Sequence, residues 1–491
     1  MRSAFLCLAV LAQLTLNAIA EPITVPLYRR SDEGGIYKAA GKALNNGVLA
    51  GKVKIGNPPQ EFTFAFDTTI GYSWVRGYRC KTPNCRGRCT YYALKSEDAV
   101  STGKRFSVKY QDACVDTHIY TDTFEFAGLT VKDMPFGGAY RMSGFADGFD
   151  GYLGLGRSVD FNETIVRSTA SGFSKRDAAL PDSAFVPNAF QQGSGLVSAQ
   201  FGMYTTTTSG SFDQSGSTGG GASTAPTTTT TTNNAVNVDP NSPATNNTTT
   251  ATTAPGQTTN QQPNGSTTAT SPSTDTGANI SGGVTGGGFG VVKRSNKEDN
   301  NVEEQPAGYL VLGGVDKSII KGDVEYIRLA DDPGAKAKNW DICIRHAGFG
   351  GDLHFKQEEN ALASISTATS YIVMPPEQAD AFHDKFGAVY KEDTKSYDIK
   401  CSKIEQLPPL KMTLEDHIVE LPAKYWTSVV DKDRDCCTTK ISRGKSNRDW
   451  VLGTALTNAF YTIFDPDTEA VGFAIKKGQK DDGLRVYKKS H

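Results

Sequence analysis

An excess of charge of either sign is missing from this sequence. Its 491 residues include 51 lysines and arginines against 53 aspartates and glutamates, a formal net charge of -2. The cations are spread along the chain, so the sequence has no broad electrostatic footprint for a nucleic acid. We therefore expect no nucleic-acid partner.

Long apolar runs are missing after the first twenty residues. The early run Ala4–Leu16 follows Met1-Arg2 and precedes Ala18-Ile19-Ala20, which is typical of a secretory signal peptide. The alternative is an N-terminal core helix. No later segment has the roughly 20 consecutive apolar residues that cross a bilayer, and residues 479–491 form a polar tail. We expect a signal over residues 1–20, no membrane span and a secreted monomer.

Metal-ligand patterns are also scarce. The six histidines are scattered, and Cys85 and Cys89 have plausible zinc spacing but no matching second pair. Of the nine cysteines, loss of Cys7 with the signal leaves an even number, which suits disulfides in an oxidising compartment. We therefore expect no metal and no cofactor, and disulfides within an N-terminal set and a C-terminal set: Cys80, Cys85, Cys89 and Cys114, and Cys343, Cys401, Cys436 and Cys437.

Short β-type runs separated by Gly, Asn and Pro make up most of the remaining chain. Examples are Leu49–Ile55, Glu61–Phe66 and Arg105–Tyr110. The same texture returns from Gly308, interrupted by a short helical pattern over Pro376–Phe386. The sequence predicts an all-β protein with two similar lobes, residues 47–204 and 305–478, after an N-terminal extension over residues 21–46.

Residues 205–304 are nearly devoid of aliphatic and aromatic side chains. Thr, Ser, Gly, Asn and Pro dominate, so the segment cannot bury enough apolar area to offset its ordering entropy. A Thr-rich tract with Pro in a secreted chain is typical of an O-glycosylated, protease-sensitive spacer, the alternative being an unmodified flexible loop. Sequons for N-glycosylation lie in this insert and in the first lobe: Asn246, Asn247, Asn264, Asn279 and Asn162.

Several motifs fall in a consistent order along the two halves. The segment Phe64-Ala-Phe-Asp67-Thr68-Thr69 precedes Trp74-Val75, and a flap-like stretch contains Tyr110. Together with the later motifs they resemble the pepsin family of aspartic proteases, and Ile23-Thr-Val-Pro-Leu27 resembles the start of its inhibitory prosegment. The later motifs are Asp150-Gly-Tyr-Leu-Gly-Leu-Gly156, Leu312-Gly-Gly-Val-Asp316, Trp340-Asp-Ile342, Val451-Leu-Gly453 and Phe460-Tyr-Thr-Ile-Phe464-Asp465.

The resemblance implies a bilobal pepsin-like fold, each lobe giving one catalytic aspartate to a central cleft. Asp67 stands at the first position, whereas Ser366 stands where the second aspartate is expected, in Ile365-Ser366-Thr367-Ala368. Thr69 and Ala368 replace family glycines and are expected to crowd the site. Ile70 replaces a residue that is usually a hydroxyl donor to the first aspartate. Thr68 and Thr367, whose hydroxyls brace the two loops in the family, are retained. Without a second carboxylate we expect Asp67 to titrate as an ordinary carboxyl.

The flap also departs from the family. Tyr110 is followed by Gln111 and Asp112, where a glycine and a small hydroxyl residue are expected. The resemblance implies a Cys80–Cys85 loop, which would leave Cys89 to reach Cys114 beneath the flap. In the second lobe Cys401 is expected to bond Cys436 or Cys437, with the other bonding Cys343.

Three functions are compatible with these residues. The first is a non-catalytic homologue that binds peptide or protein in its cleft, because the loss of a carboxylate removes half of the catalytic pair. The second is an atypical aspartic-type endopeptidase, and the third is a glycosylated wall or matrix protein that uses the fold as a scaffold.

Overall fold

The computed structural model describes residues 29–30, 35–44, 47–110, 112–159, 180–206, 306–331, 339–351 and 353–490. Most of them lie in β-strands, and the all-β prediction is confirmed. The predicted signal peptide, Gln111 and residues 207–304 of the insert lie outside the described residues, as do the sequons at Asn162, Asn246, Asn247, Asn264 and Asn279.

The strands follow the predicted β-type runs closely. The first half and the start of the second contain β1 Arg29–Arg30, β2 Tyr37–Ala43, β3 Leu49–Ile55, β4 Gln60–Asp67, β5 Ser73–Arg76, β6 Val100–Lys109, β7 Cys114–Phe126, β8 Leu129–Ser143, β9 Gly151–Gly154, β10 Phe201–Thr205, β11 Gly308–Leu312, β12 Ile320–Arg328, β13 Asp341–Phe349 and β14 Leu353–Lys356. The remainder contains β15 Leu362–Ile365, β16 Ile372–Met374, β17 Val389–Lys391, β18 Ser396–Lys400, β19 Leu410–Leu414, β20 His417–Leu421, β21 Thr427–Asp431, β22 Cys436–Thr439, β23 Ile441–Arg443, β24 Trp450–Leu452, β25 Tyr461–Asp465, β26 Ala470–Lys476 and β27 Arg485–Lys488.

Helices are short and few among the described residues. They are α1 Phe185–Gln191, α2 Pro376–Phe386 and α3 Thr454–Thr457, with 3-10 turns at Pro83–Cys85, Ala93–Lys95, Lys317–Ile319, Cys401–Gln406 and Ala423–Tyr425. The predicted helix over Pro376–Phe386 is confirmed. It begins with a proline in its first turn, where no backbone donor is needed, and it ends at Gly387, whose φ of 67° suits a residue without Cβ.

The largest sheet contains strands from both halves of the chain. It has fourteen strands in the order β12-β26-β25-β10-β11-β2-β3-β4-β9-β5-β8-β7-β6, with β1 beside β2. Strand β10 pairs with β11 and β25, and Trp340 Nε1 donates to the Leu155 carbonyl at 3.0 Å, so the halves are connected. Strand β2 lies before the lobe boundary expected at residue 47, yet it pairs with β11 inside this sheet.

The second half adds two further sheets. One has nine strands in the order β23-β16-β24-β15-β13-β19-β20-β27, with β14 beside β13, and the other has the order β17-β18-β22-β21. Strand β27 draws residues 485–488 of the predicted polar tail into the edge of the nine-stranded sheet. Phe62, Phe64 and Phe66 project from one face of β4 and are all buried, and Thr63 and Ala65 on its other face are buried too, so both faces of this strand are covered.

Among the cysteines that the structure describes, two disulfides form and two expected ones do not. Cys80 bonds Cys85, and Cys401 bonds Cys437, both within the predicted sets. The expected Cys89–Cys114 and Cys343–Cys436 bonds are wrong, because these four cysteines are free thiols.

Different surroundings keep the free thiols apart. Cys114 Sγ lies 3.2 Å from Ser143 Oγ, next to the turn of the flap, whereas Cys89 donates its backbone N–H to Asp150 Oδ1. Cys343 lies in β13 of the nine-stranded sheet and Cys436 in β22 of the four-stranded sheet. An even number of cysteines therefore did not determine how many of them bond.

Candidate functional site

Two loops, one at the end of β4 and one at the end of β15, are joined by reciprocal hydrogen bonds. The Thr68 backbone N–H donates to Thr367 Oγ1, and the Thr367 N–H donates to Thr68 Oγ1, each at 3.1 Å. The Thr68 hydroxyl donates onward to the Ile365 carbonyl at 3.0 Å, and the Thr367 hydroxyl to the Phe66 carbonyl at 2.6 Å. Because all four bonds are buried, the brace fixes the spacing of the two loops.

Asp67 is the last residue of β4 and is fully buried. Its Oδ1 accepts a bond from the Thr69 backbone N–H at 2.7 Å, and its Oδ2 accepts one from the Tyr110 hydroxyl at 2.9 Å. Burial raises the pKa of Asp67 to about 6, although the bonds from Thr69 and Tyr110 act in the opposite direction. The expectation of an ordinary carboxyl is therefore wrong, because removal from water alone disfavours the charged form.

Ser366 lies directly after β15 and is 2% exposed. Its hydroxyl lies 2.8 Å from Thr69 Oγ1 and accepts a bond from the Ala368 backbone N–H at 3.3 Å. The Thr69 backbone N–H is the group that donates to the Asp67 carboxylate. Thr69 thus connects Asp67, through its backbone N–H, to Ser366, through its hydroxyl, where the sequence predicted only steric crowding.

The flap tyrosine covers Asp67. Tyr110 follows β6, and its hydroxyl, besides donating to Asp67, accepts a bond from Trp74 Nε1 at 3.2 Å. Its ring lies 5.5 Å from Phe145 and 5.4 Å from Tyr152, both edge-on. Burial raises the pKa of Tyr110 well above its ordinary value, and the nearby Asp67 charge adds to this shift. Polar and aromatic contacts together hold the flap against the carboxylate.

An aromatic cluster, which we define as Trp74, Tyr110, Phe145, Phe149 and Tyr152, fills the space beside Asp67. The Trp74 ring is 5.0 Å from Phe145 and 5.1 Å from Tyr152, and Phe149 is 4.8 Å from Tyr152. Sequence reasoning did not assign Tyr152, Phe145 or Phe149 to the site. A signal for Tyr152 existed, since it lies inside the Asp150–Gly156 motif that supports the family resemblance.

The tip of the flap contacts the second half of the chain. Asp112 Oδ1 lies 3.3 Å from Lys445 Nζ, and both side chains are largely exposed. Exposed pairs of this kind contribute at most about 1 kcal/mol and are screened by salt. Asp112 was singled out from the sequence, but Lys445 carried no signal, because only the fold brings it to the flap.

Within the described residues no group of three or more His, Cys, Asp or Glu side chains is arranged to hold a metal ion. The same residues contain no helix that is both long enough and apolar enough to cross a membrane.

Comparisons with known proteins agree with the two-loop geometry. The family model described as eukaryotic aspartyl protease matches residues 49–218 and 298–476. Mouse cathepsin E is 30% identical over 151 residues, a match that covers 30% of this chain and 38% of that protein. A longer match, to gastricsin of Macaca fuscata fuscata, is 21% identical and covers 88% of this chain and 85% of the relative.

A solved structure extends the likeness to the fold. The aspartic proteinase from Irpex lacteus matches with a TM-score of 0.58 at 16% identity, covering 91% of this chain and 99% of that one. At such identity the match supports the bilobal pepsin-like fold alone. With the family model spanning both halves of the chain, this protein belongs to the eukaryotic aspartyl protease family.

Proposed function

We propose that this chain is a secreted homologue that does not hydrolyse peptide bonds efficiently and that binds a peptide or protein segment in its cleft. The observation that carries the proposal is the series in which the Thr69 backbone N–H donates to Asp67 and the Thr69 hydroxyl lies 2.8 Å from the hydroxyl of Ser366. It contains one carboxylate and two hydroxyls at the place where the family requires a pair of carboxylates.

Proteolysis in this family depends on two carboxyl groups that share one proton. One activates a water molecule while the other protonates the substrate carbonyl. The Ser366 hydroxyl has no acidic proton to share, since an aliphatic alcohol stays protonated in the acid-to-neutral range. Loss of one acid-base group commonly lowers the rate by about two to four orders of magnitude.

The Thr69 hydroxyl interferes with a second requirement of catalysis, an attacking water molecule held between the two loops. It lies 2.8 Å from Ser366 Oγ, and the Thr69 backbone N–H donates to Asp67 at 2.7 Å, so this residue takes up hydrogen-bonding positions that a water held between the two loops would use. An attacking water would first have to displace this side chain. The chain therefore lacks the second carboxyl group, and Thr69 also obstructs the position of the attacking water.

The closed flap sets the condition for ligand binding. A peptide that enters the cleft must move Tyr110 away from Asp67 and separate Asp112 from Lys445. The ion pair is a small cost, whereas the Tyr110 hydroxyl and ring contacts must be replaced by contacts with the ligand. We expect an extended segment that offers both a hydrogen-bonding group for Asp67 and an apolar side chain for the aromatic cluster.

The test combines cleavage and binding. Cleavage of casein or haemoglobin is measured from acid to neutral pH, with pepstatin binding in parallel, for the unmodified protein and for Ser366→Asp alone. We expect almost no cleavage by either, because Thr69 still fills the site after the single change. Adding Thr69→Gly and Ala368→Gly to Ser366→Asp gives the best chance of measurable activity.

Binding to an immobilised peptide library supports the cleft function. Robust, pepstatin-sensitive cleavage by the unmodified protein that Asp67→Ala abolishes would instead establish an atypical aspartic-type endopeptidase. Absence of any peptide ligand, with retention in an insoluble wall fraction, favours a glycosylated wall or matrix scaffold.

A further inference from the structure

We propose that the outer face of the flap hairpin, formed by β6 and β7, and the disulfide loop Cys80–Cys85 bind an acidic polysaccharide. The contact is made by a cationic patch, defined as Arg79, Lys81 and Arg105. The patch uses no residue of the Asp67 site, so the inference goes beyond the proposed function and is independent of it.

The sheet places one part of the patch. Arg105 on β6 is the antiparallel partner of His118 on β7, so both side chains project from the same face. The His118 ring lies 4.6 Å from the ring of Tyr140 on β8, and the Arg105 guanidinium carbon lies 5.6 Å from the Tyr140 ring. Arg105 is therefore held in place by stacking.

The disulfide loop supplies the other cations. Arg79 and Lys81 flank Cys80, whose bond to Cys85 closes the loop. Lys81 Nζ lies 5.5 Å from the ring of Tyr78, and Tyr78 packs on Tyr92 at 4.6 Å. The Thr82 hydroxyl of this loop accepts a bond at 3.3 Å from the backbone N–H of Met142, which lies two residues after Tyr140 on β8, so the loop and the hairpin present their cations to one region. In agreement, burial lowers the pKa of His118, and the charges of Arg105 and Arg79 lower it further.

These cations are not neutralised within the part of the chain that the structure describes. Arg79, Lys81 and Arg105 are exposed, and none of them forms an ion pair with a described carboxylate. Asp116, which lies two residues before His118 on β7, is already bonded by Arg141 at 2.6 Å and by Ser107. The patch therefore keeps an uncompensated positive charge, although the whole chain is almost neutral.

The aromatic stacking argues for a polysaccharide rather than a nucleic acid. Single-stranded nucleic acids are bound by stacking bases on open aromatic faces. Here Tyr140 is contacted by both His118 and Arg105, and Tyr78 by both Tyr92 and Lys81. The rings thus order the cations, which lowers the entropy lost when an anion binds. Cations distributed over a loop and a hairpin suit a linear polymer with repeated sulfate or carboxylate groups.

Dextran sulfate, with uncharged dextran as the control polymer, provides the direct test. We expect the full secreted chain to bind dextran sulfate and not dextran, with affinity falling about tenfold or more between about 50 mM and about 300 mM salt. The triple variant Arg79→Ala, Lys81→Ala, Arg105→Ala should lose on the order of 100-fold in affinity, at about fivefold for each cation.

A matched variant carries the same change of net charge elsewhere. Lys477→Ala, Lys480→Ala, Lys489→Ala removes three exposed cations near the C-terminus and should bind within about twofold of the unmodified protein. The single exposed change Arg79→Gln, expected to weaken binding about fivefold, keeps the test open if the triple variant fails to fold.

Equal binding by the patch variants and the unmodified protein overturns the proposal, and so does equal loss in the matched variant. Tighter binding of polyglutamate or of single-stranded DNA than of dextran sulfate, lost in the same patch variants, overturns the choice of a polysaccharide.

Discussion

Replacement of Asp67 by a neutral residue of the same shape should change how stability depends on pH. The folded protein raises the pKa of this carboxyl from 3.8 to about 6 by burial. A raised pKa means that the folded state holds a proton that the unfolded chain has already released. The contribution of Asp67 to stability is therefore fully present below pH 3.8 and is lost as the pH rises through about 6.

The size of the effect follows from that shift. One pKa unit corresponds to about 1.36 kcal/mol, so a shift of about two units makes the ionised form cost about 3 kcal/mol in the folded state. Asp67→Asn removes this cost at neutral pH. Its amide oxygen can still accept from the Thr69 N–H, although the bond to Tyr110 changes, which adds an offset that is the same at every pH.

Urea unfolding of both proteins at several values between about pH 3.5 and about pH 7 measures the difference. The free energy of unfolding of Asp67→Asn relative to the unmodified protein should rise by about 3 kcal/mol across this range. The other carboxylates contribute equally to the pH dependence of both proteins, so their contributions cancel in this difference. Parallel curves, separated by a constant, would refute the burial argument and mean that Asp67 is hydrated in solution.

Two further outcomes follow from the brace and the thiols. Thr367→Val leaves the buried Thr68 N–H without its acceptor and should lower the free energy of unfolding in urea by about 1 to 3 kcal/mol. The exposed control Thr130→Val should change it by no more than about 0.5 kcal/mol, and equal effects of the two variants would contradict the brace. Native-state alkylation followed by non-reducing peptide mapping should find the Cys80–Cys85 and Cys401–Cys437 bonds and label Cys89 first, since it is exposed; a Cys89–Cys114 bond would contradict the structure.

The sequence was most informative where the signal was local. Strand β3 and helix α2 have the predicted bounds, because alternation of side chains, a proline at the helix start and a glycine after its end act within a few residues. The Cys80–Cys85 bond spans a single short loop. The resemblance also identified the loops that meet at the brace, since Thr68 and Thr367 lie in recognisable motifs.

Features that depend on tertiary surroundings were not predictable. The pKa of Asp67 is set by its burial beneath Tyr110, and the residues next to Asp67 in the sequence carry no information about that burial. The hydrogen bond between Thr69 and Ser366 joins side chains from opposite halves of the chain. The even number of cysteines gave no information on Cys343 and Cys436, because a count of thiols does not reveal that these two lie in different sheets.

The hairpin formed by β10 and β11 has a consequence for tolerance to changes in length. Thr205 pairs with Gly308, and the Thr206 N–H donates to the Ala307 carbonyl at 3.0 Å, so the ends of the intervening segment are fixed side by side. For a flexible loop whose ends are held together in this way, doubling the length costs only about 0.6 kcal/mol of closure entropy. Evolution can therefore lengthen or shorten the chain here with little effect on the lobes, and a foreign domain whose termini lie close together can be grafted at the same point.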